Sequence, residues 1–274
     1  MWASDRSHSF VRNRTWLTKL SHVATTDPAP AHQRVATALL GAQHIVVLTG
    51  LHLGGPEEAD LTHARGEWSR RASLEVLLTD PAAFWKFAHP AALEIATRVP
   101  EPGHLALAHL QAAGFVSALI TQAVDHIHTI AGSTVVVEVH GNILTARCSR
   151  CAERYGLGEL GALIDASADG VPRCTTPDCA FPLRPAGTLW GEPLIEDAVR
   201  AAWEHATNAD CFLVIDCDLR TVPMSLLPSV PLTRGVPLVM IGETPTQYDR
   251  YATVLIRESS EPVLVALADL IASQ

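Results

Sequence analysis

The chain has 274 residues, 48% of them hydrophobic and 18% charged, with 20 basic against 29 acidic side chains and a formal net charge of −9. That length fits one large α/β domain carrying at most a small insertion, and the apolar share excludes disorder as the main state. The acidic balance excludes a broad basic grip on nucleic acid, and the apolar runs are strand-sized, so no membrane-spanning helix is expected.

Residues 1–30 mix polar, aromatic and proline residues and are expected to form an arm, with a helix over 10–22. They lack a basic segment followed by an apolar stretch, so no secretory signal is expected. A helix is predicted over 31–40, with Gly41 where a C-cap belongs. A buried strand follows over 44–48 and breaks at Thr49-Gly50. Strand-like runs recur at 116–120, 135–139, 211–215, 237–241 and 253–256. Helical runs stand between or after them at 83–96, 104–113, 197–208 and 261–273. This alternation predicts an α/β fold with a Rossmann-like, doubly wound parallel sheet covered on both faces. Residues 146–185 break the rhythm with four Cys and a loop over 165–170. The expected organisation is therefore an arm (1–30), a large domain (31–145 and 186–274) and an inserted module (146–185).

The four cysteines of that module carry the strongest chemical signal. Cys148 and Cys151 form a CxxC pair, and Cys174 and Cys179 a CxxxxC pair. Two thiolates on each of two turns complete a tetrahedron that suits Zn²⁺, and four ligands leave no open position, so the ion would be structural. Its work is to hold an insert too small to build its own core. Thiol pairs used this way also point to a reducing compartment, and the cytoplasm is expected. Cys211, on a predicted strand, is expected to be a small buried hydrophobe.

Three segments resemble the sirtuin family, the NAD-dependent protein deacylases. Ile120-Thr121-Gln122-Ala123-Val124-Asp125-His126-Ile127-His128, with Ala131-Gly132-Ser133 and Glu138-Val139-His140-Gly141, is similar to the family's TQNID-x-LH…AGS…E-x-HG stretch. The Cys quartet follows in the family's order. Leu183-Arg184-Pro185 and Leu189-Trp190-Gly191-Glu192-Pro193-Leu194 then resemble LRP-x-VVxFGExL. The resemblance covers roughly residues 30 to 273. It implies His140 as general base with Asp125 in the same motif, a structural zinc, and NAD contacts from Gly50, Gln122 and the 216–218 stretch. It also implies an acylated protein or peptide as partner, lying as an added strand between Trp190-Gly191-Glu192 and the segment around Val222.

The chain departs from the family on the cofactor side. Leu51 and His52 stand where the family has Ala and Gly, and a PDFR-like stretch is absent. Ala123 replaces an Asn, Asp216-Cys217-Asp218 replaces Gly-Thr-Ser, and Gly242 replaces an Asn. A side chain where backbone meets pyrophosphate is a steric objection, and two added carboxylates repel phosphate. NAD is therefore expected to bind weakly or not at all. One reading is a divergent NAD-dependent deacylase or ADP-ribosyl-transfer enzyme. Another is a pseudoenzyme, a sirtuin-fold protein kept for binding or scaffolding. A third is a pocket rebuilt around His52, His63, His140, Asp216 and Asp218 for a second metal or a small-molecule ligand. His104 and His128 are expected to be structural, with imidazoles tied to backbone carbonyls.

Overall fold

The computed structural model describes residues 29–39, 41–51, 53 and 66–272. The expected helix over 10–22, together with His52 and His63, lies outside them.

Runs of β-branched and aliphatic residues form a six-stranded sheet. In chain order its strands are β1 (Ile45–Thr49), β2 (Val116–Thr121), β3 (Val136–Glu138), β7 (Cys211–Ile215), β8 (Leu238–Ile241) and β9 (Val254–Ile256). The spatial order is β3-β2-β1-β7-β8-β9, and every pairing is parallel. Every residue of β1, β7 and β8 is buried, as continuous apolar runs require when helices cover both faces.

Two apolar layers show this covering directly. Ile45, Val47, Leu119 and Leu213 face Val35 of α1 (Ala31–Ala38), Leu107 of α4 (Pro102–Ala112) and Leu264 of α9 (Ser260–Ala272). Val46, Leu48, Ile120 and Phe212 face Ala202 and Ala206 of α7 (Glu196–Asn208), with Leu227 beyond it, just before the short α8 (Ser229–Leu232). Alternate residues of one strand thus serve opposite layers, and the fold is the predicted Rossmann-like, doubly wound one. The order reverses direction between β1 and β7, which places the switch point at Gly50 and Asp216.

The inserted module has its own antiparallel sheet in the order β5-β4-β6, from β4 (Thr145–Cys148), β5 (Arg154–Gly156) and β6 (Leu183–Pro185). It also contains a helix, α6 (Leu157–Asp165), in a stretch where no helix is predicted. The core of this unit extends beyond the insert. Phe84, Trp85 and Ala88 of α3 (Pro81–Ala96) pack with Tyr155, Leu160 and Leu183, and Ala72 joins them. A further short helix, α2 (Leu74–Thr79), starts at Ser73, whose hydroxyl accepts the Val76 amide. Pro81 then opens α3 behind an Asp80 cap. Among the described residues no helix is long and apolar enough to cross a membrane.

Candidate active site at the carboxyl ends of the sheet

Gly50 follows β1 directly, and its amide donates to the carbonyl of Ile215 at the end of β7. A Cβ added here would overlap the carbonyl oxygen of Asp216, so only glycine lets these two strand ends meet. The resemblance implies Gly50 as an NAD contact. On the side where a Cβ would stand, Gly50 faces the Asp216 carbonyl.

Asp216 itself has φ +49°, a left-handed conformation. Its carboxylate accepts the hydroxyl hydrogen of Ser260, the first residue of α9. The other oxygen would lie 2.5 Å from a Cβ built on Gly242, at the end of β8. The sequence reading sets Asp216 on the pyrophosphate side of the crevice; in the structure its carboxylate points towards the β8 and α9 side. The reason is local, because the left-handed turn at Asp216 brings its side chain round to Ser260. Asp218 is half-buried and accepts the Arg220 amide. Cys217 lies between them fully buried, and its thiol is pushed up by burial and by the two neighbouring carboxylates. Gln122, from the end of β2, reaches across to that sulfur at 3.8 Å.

The motif after β2 folds into a compact polar knot. Asp125 is buried, and its carboxylate accepts the Ile127 amide at 3.1 Å, which shapes the turn into α5 (Ile127–Ile130). His126 sits at φ +63° and pairs through Nδ1 with Glu138 at 2.6 Å. Glu138 also accepts from Asn142, so the strand end carrying His140 is tied from two sides. His128 meets the Thr49 hydroxyl at 3.0 Å. That corrects the expected backbone-carbonyl partner: Thr49 closes β1 directly against α5 and presents the nearer polar atom. Burial and the neighbouring His104 push the His128 pKa down to about 3. The two rings lie 4.9 Å apart between centroids, and burial lowers His104 as well.

His140 follows β3 and is half-buried, and burial lowers its pKa so that the imidazole is neutral near pH 7. Its carbonyl accepts the Thr188 amide at 2.7 Å. Gly141, at φ +64°, has no room for a side chain against Ala186 and Gly187. The residue predicted as general base is therefore clamped where the large sheet meets the chain returning from the cysteine module.

That returning segment is stiff. Arg184 grips Glu192 with two hydrogen bonds of 2.6 Å each, and Glu192 also accepts the Leu189 amide. The guanidinium and the Leu189 amide hold the Glu192 carboxylate below its ordinary range against the opposing effect of burial. Glu192, expected to touch substrate, spends its oxygens on this clamp. Trp190 is half exposed, and its carbonyl accepts the Leu74 amide. Gly191 is exposed at φ +91°, and Val222 stands 68% exposed.

In the inserted module the four thiols converge. Cys148 and Cys179 sulfurs lie 3.6 Å apart, those of Cys151 and Cys174 3.5 Å apart, and all four fall within 4.8 Å of one another. A tetrahedral Zn²⁺ with sulfurs at 2.3 Å sets its ligands about 3.8 Å apart, so the thiol set fits that ion. Among the described residues it is the one group of three or more metal-ligating side chains that come together. His140, Asp216 and Asp218 form no such set among them, while His52 and His63 lie outside.

The Sir2 family model matches residues 64–223. The chain belongs to the Sir2 family. An NAD-dependent protein deacetylase of Caldivirga maquilingensis is 34% identical over 237 residues, which are 85% of this chain and 90% of that protein. The NAD-dependent protein deacylase 2 of Pyrobaculum aerophilum is also 34% identical, over 86% of this chain and 94% of its own. Among solved Sir2 structures, one bound to acetylated peptide superposes with a TM-score of 0.73 at 26% identity, covering 88% of this chain and 97% of that one. A Sir2–p53 peptide–NAD⁺ structure gives 0.71 at 27% identity, over 87% and 96%. The strand-end features around Gly50, Asp216 and Gly242 thus belong to a Sir2 framework of nearly full length.

Proposed function

We propose that this chain is a sirtuin-type protein deacylase with His140 as general base, whose acyl-peptide side is kept and whose NAD affinity is low. The observation that carries the reading is the contrast at the two sides of His140. On the peptide side the Arg184–Glu192 clamp leaves Trp190, Gly191 and Val222 at the surface, where an acylated peptide can add as a strand. On the nucleotide side the space beside Gly50 holds the Asp216 carbonyl, and the Asp216 carboxylate stands against Gly242. Ala123 is buried and offers no side-chain amide there. The residues present do not fit NAD well on this side.

In this reading His140 accepts a proton at its neutral imidazole, and Asp125 positions the turn beside it through the Ile127 amide. Cys148, Cys151, Cys174 and Cys179 hold a structural Zn²⁺, which belongs with residence in a reducing cytoplasm. Residues 146–185 act as the zinc module on the large domain. With the nucleotide side closed, binding of an acylated peptide without turnover is the second reading, and it is favoured by the same Asp216 placement.

An acetyl-lysine peptide titrated by fluorescence anisotropy, with deacetylation followed at several NAD concentrations, tests both parts. The peptide should bind without NAD, turnover should need millimolar NAD, and His140→Ala should lower turnover by ~10²–10⁴-fold while sparing peptide binding. Turnover that survives His140→Ala, or no peptide binding at all, would refute the assignment.

A further inference from the structure

Ligands of open α/β sheets bind in the crevice beyond the carboxyl ends of the strands, and Asp216 stands at this sheet's switch point. In this chain the corner between the ends of β7 and β8 is already filled. Asp216 donates its amide to the carbonyl of Ile241, which locks the turn onto β8. Its carboxylate is bonded to Ser260 at the start of α9 and reaches across Gly242. A small, partly open cavity of about 10 Å³ lies there, bordered by Asp216, Gly242, Thr244, Thr246 and Arg257, a volume on the scale of one water. Arg257 is committed to Asp249 and to the Gly242 carbonyl, so it braces the same corner. A Cβ on Gly242 would meet the Asp216 carboxylate at 2.5 Å and the Asp216 backbone at 3.1 Å, and φ +135° there also favours glycine.

We propose that Asp216 is the residue that decides nucleotide admission: its side chain, pinned by Ser260, fills the corner of the crevice between the ends of β7 and β8, and removing it opens that corner to an adenine nucleotide. The proposal rests on the reading of the crevice as a weakened NAD site and names the side chain responsible. Glycine relaxes at φ +49°, so Asp216→Gly should leave the fold intact.

ADP-ribose is the probe, because it lacks the nicotinamide and so ignores Ala123. Calorimetric titration into the zinc-loaded full chain should show at least ten-fold tighter binding for Asp216→Gly than for the unmodified protein. Asp216→Asn, which keeps the volume and loses the charge, should gain less than three-fold. Ser260→Ala should gain in the same direction as Asp216→Gly, with melting midpoints confirming that each variant is folded. No gain in Asp216→Gly and Ser260→Ala, or a gain in Asp216→Asn equal to that of Asp216→Gly, overturns the proposal. Tight NAD binding by the unmodified chain would instead overturn the reading of the site, whatever Asp216→Gly does to ADP-ribose.

Discussion

The two flanks of His140 use their polar groups in opposite ways. On the module flank, charged groups stiffen a frame that leaves its outer face open: Arg184 and Glu192 satisfy each other, and Trp190 and Val222 stay exposed. On the strand-end flank, polar groups are turned inward upon the crevice itself: Asp216 on Ser260, Gln122 on Cys217, Gly50 against the Asp216 carbonyl. On the proposed reading, the same family framework can carry a filled crevice. Whether the crevice is open is decided by a few side chains at strand ends, which the sheet tolerates without change of topology.

The largest effect separates the module from the rest. Cys174→Ser removes one of four ligands, and structural zinc is worth ~10–16 kcal/mol of folding free energy in small zinc modules. Metal analysis should fall from one Zn²⁺ per chain to well below it, and limited proteolysis should open the segment around 145–185 while the six-stranded sheet persists. Full zinc content in this variant would break the comparison at its module side.

The next test probes the strand-end flank. Gly50→Ala forces a methyl group into the Asp216 carbonyl, a backbone clash that no rotamer relieves. A loss of about 4 kcal/mol or more in denaturant unfolding is expected, the size reserved for strained or overpacked sites. A near-neutral result would mean that the ends of β1 and β7 can separate, leaving the crevice open.

Much of the frame was legible in the chain. Fully buried strands read as continuous apolar runs, and 211–215 was placed without error because both neighbours of that strand are also buried. The cysteine set was legible from spacing, since four thiols in two tight pairs have few other uses. Helices α2 and α6 were missed because they are short and take their apolar partners from distant segments. The orientation of Asp216 was illegible for a different reason: Ser260 lies 44 residues away, and only the turn at the end of β7 brings the two together. The same holds for His128, whose partner Thr49 is 79 residues distant.

The smallest effect sharpens the strand-end side by pH. His128 has a folded pKa of about 3 against 6.5 in the unfolded chain, so the unfolded state takes up the proton first as pH falls. Its stabilisation is complete above about pH 6.5 and is lost progressively towards pH 3, at about 1.4 kcal/mol per pH unit in that window. His104 and His140, also lowered by burial, act in the same direction. Chemical denaturation between pH 6.5 and 5 should show this slope, and His128→Asn should reduce it by one proton's worth. An unchanged slope in His128→Asn would place the His128 ring in contact with solvent.

The most direct test of the central claim is calorimetric titration of NAD into the unmodified, zinc-loaded protein. Losing one buried hydrogen-bonding partner costs about 1–3 kcal/mol, which together with the proposed filling of the β7–β8 corner moves a micromolar site to about millimolar or weaker. A dissociation constant in that weak range is the predicted result. A micromolar constant would contradict the account, because it would mean that the strand-end side chains yield to the cofactor and the crevice is open after all.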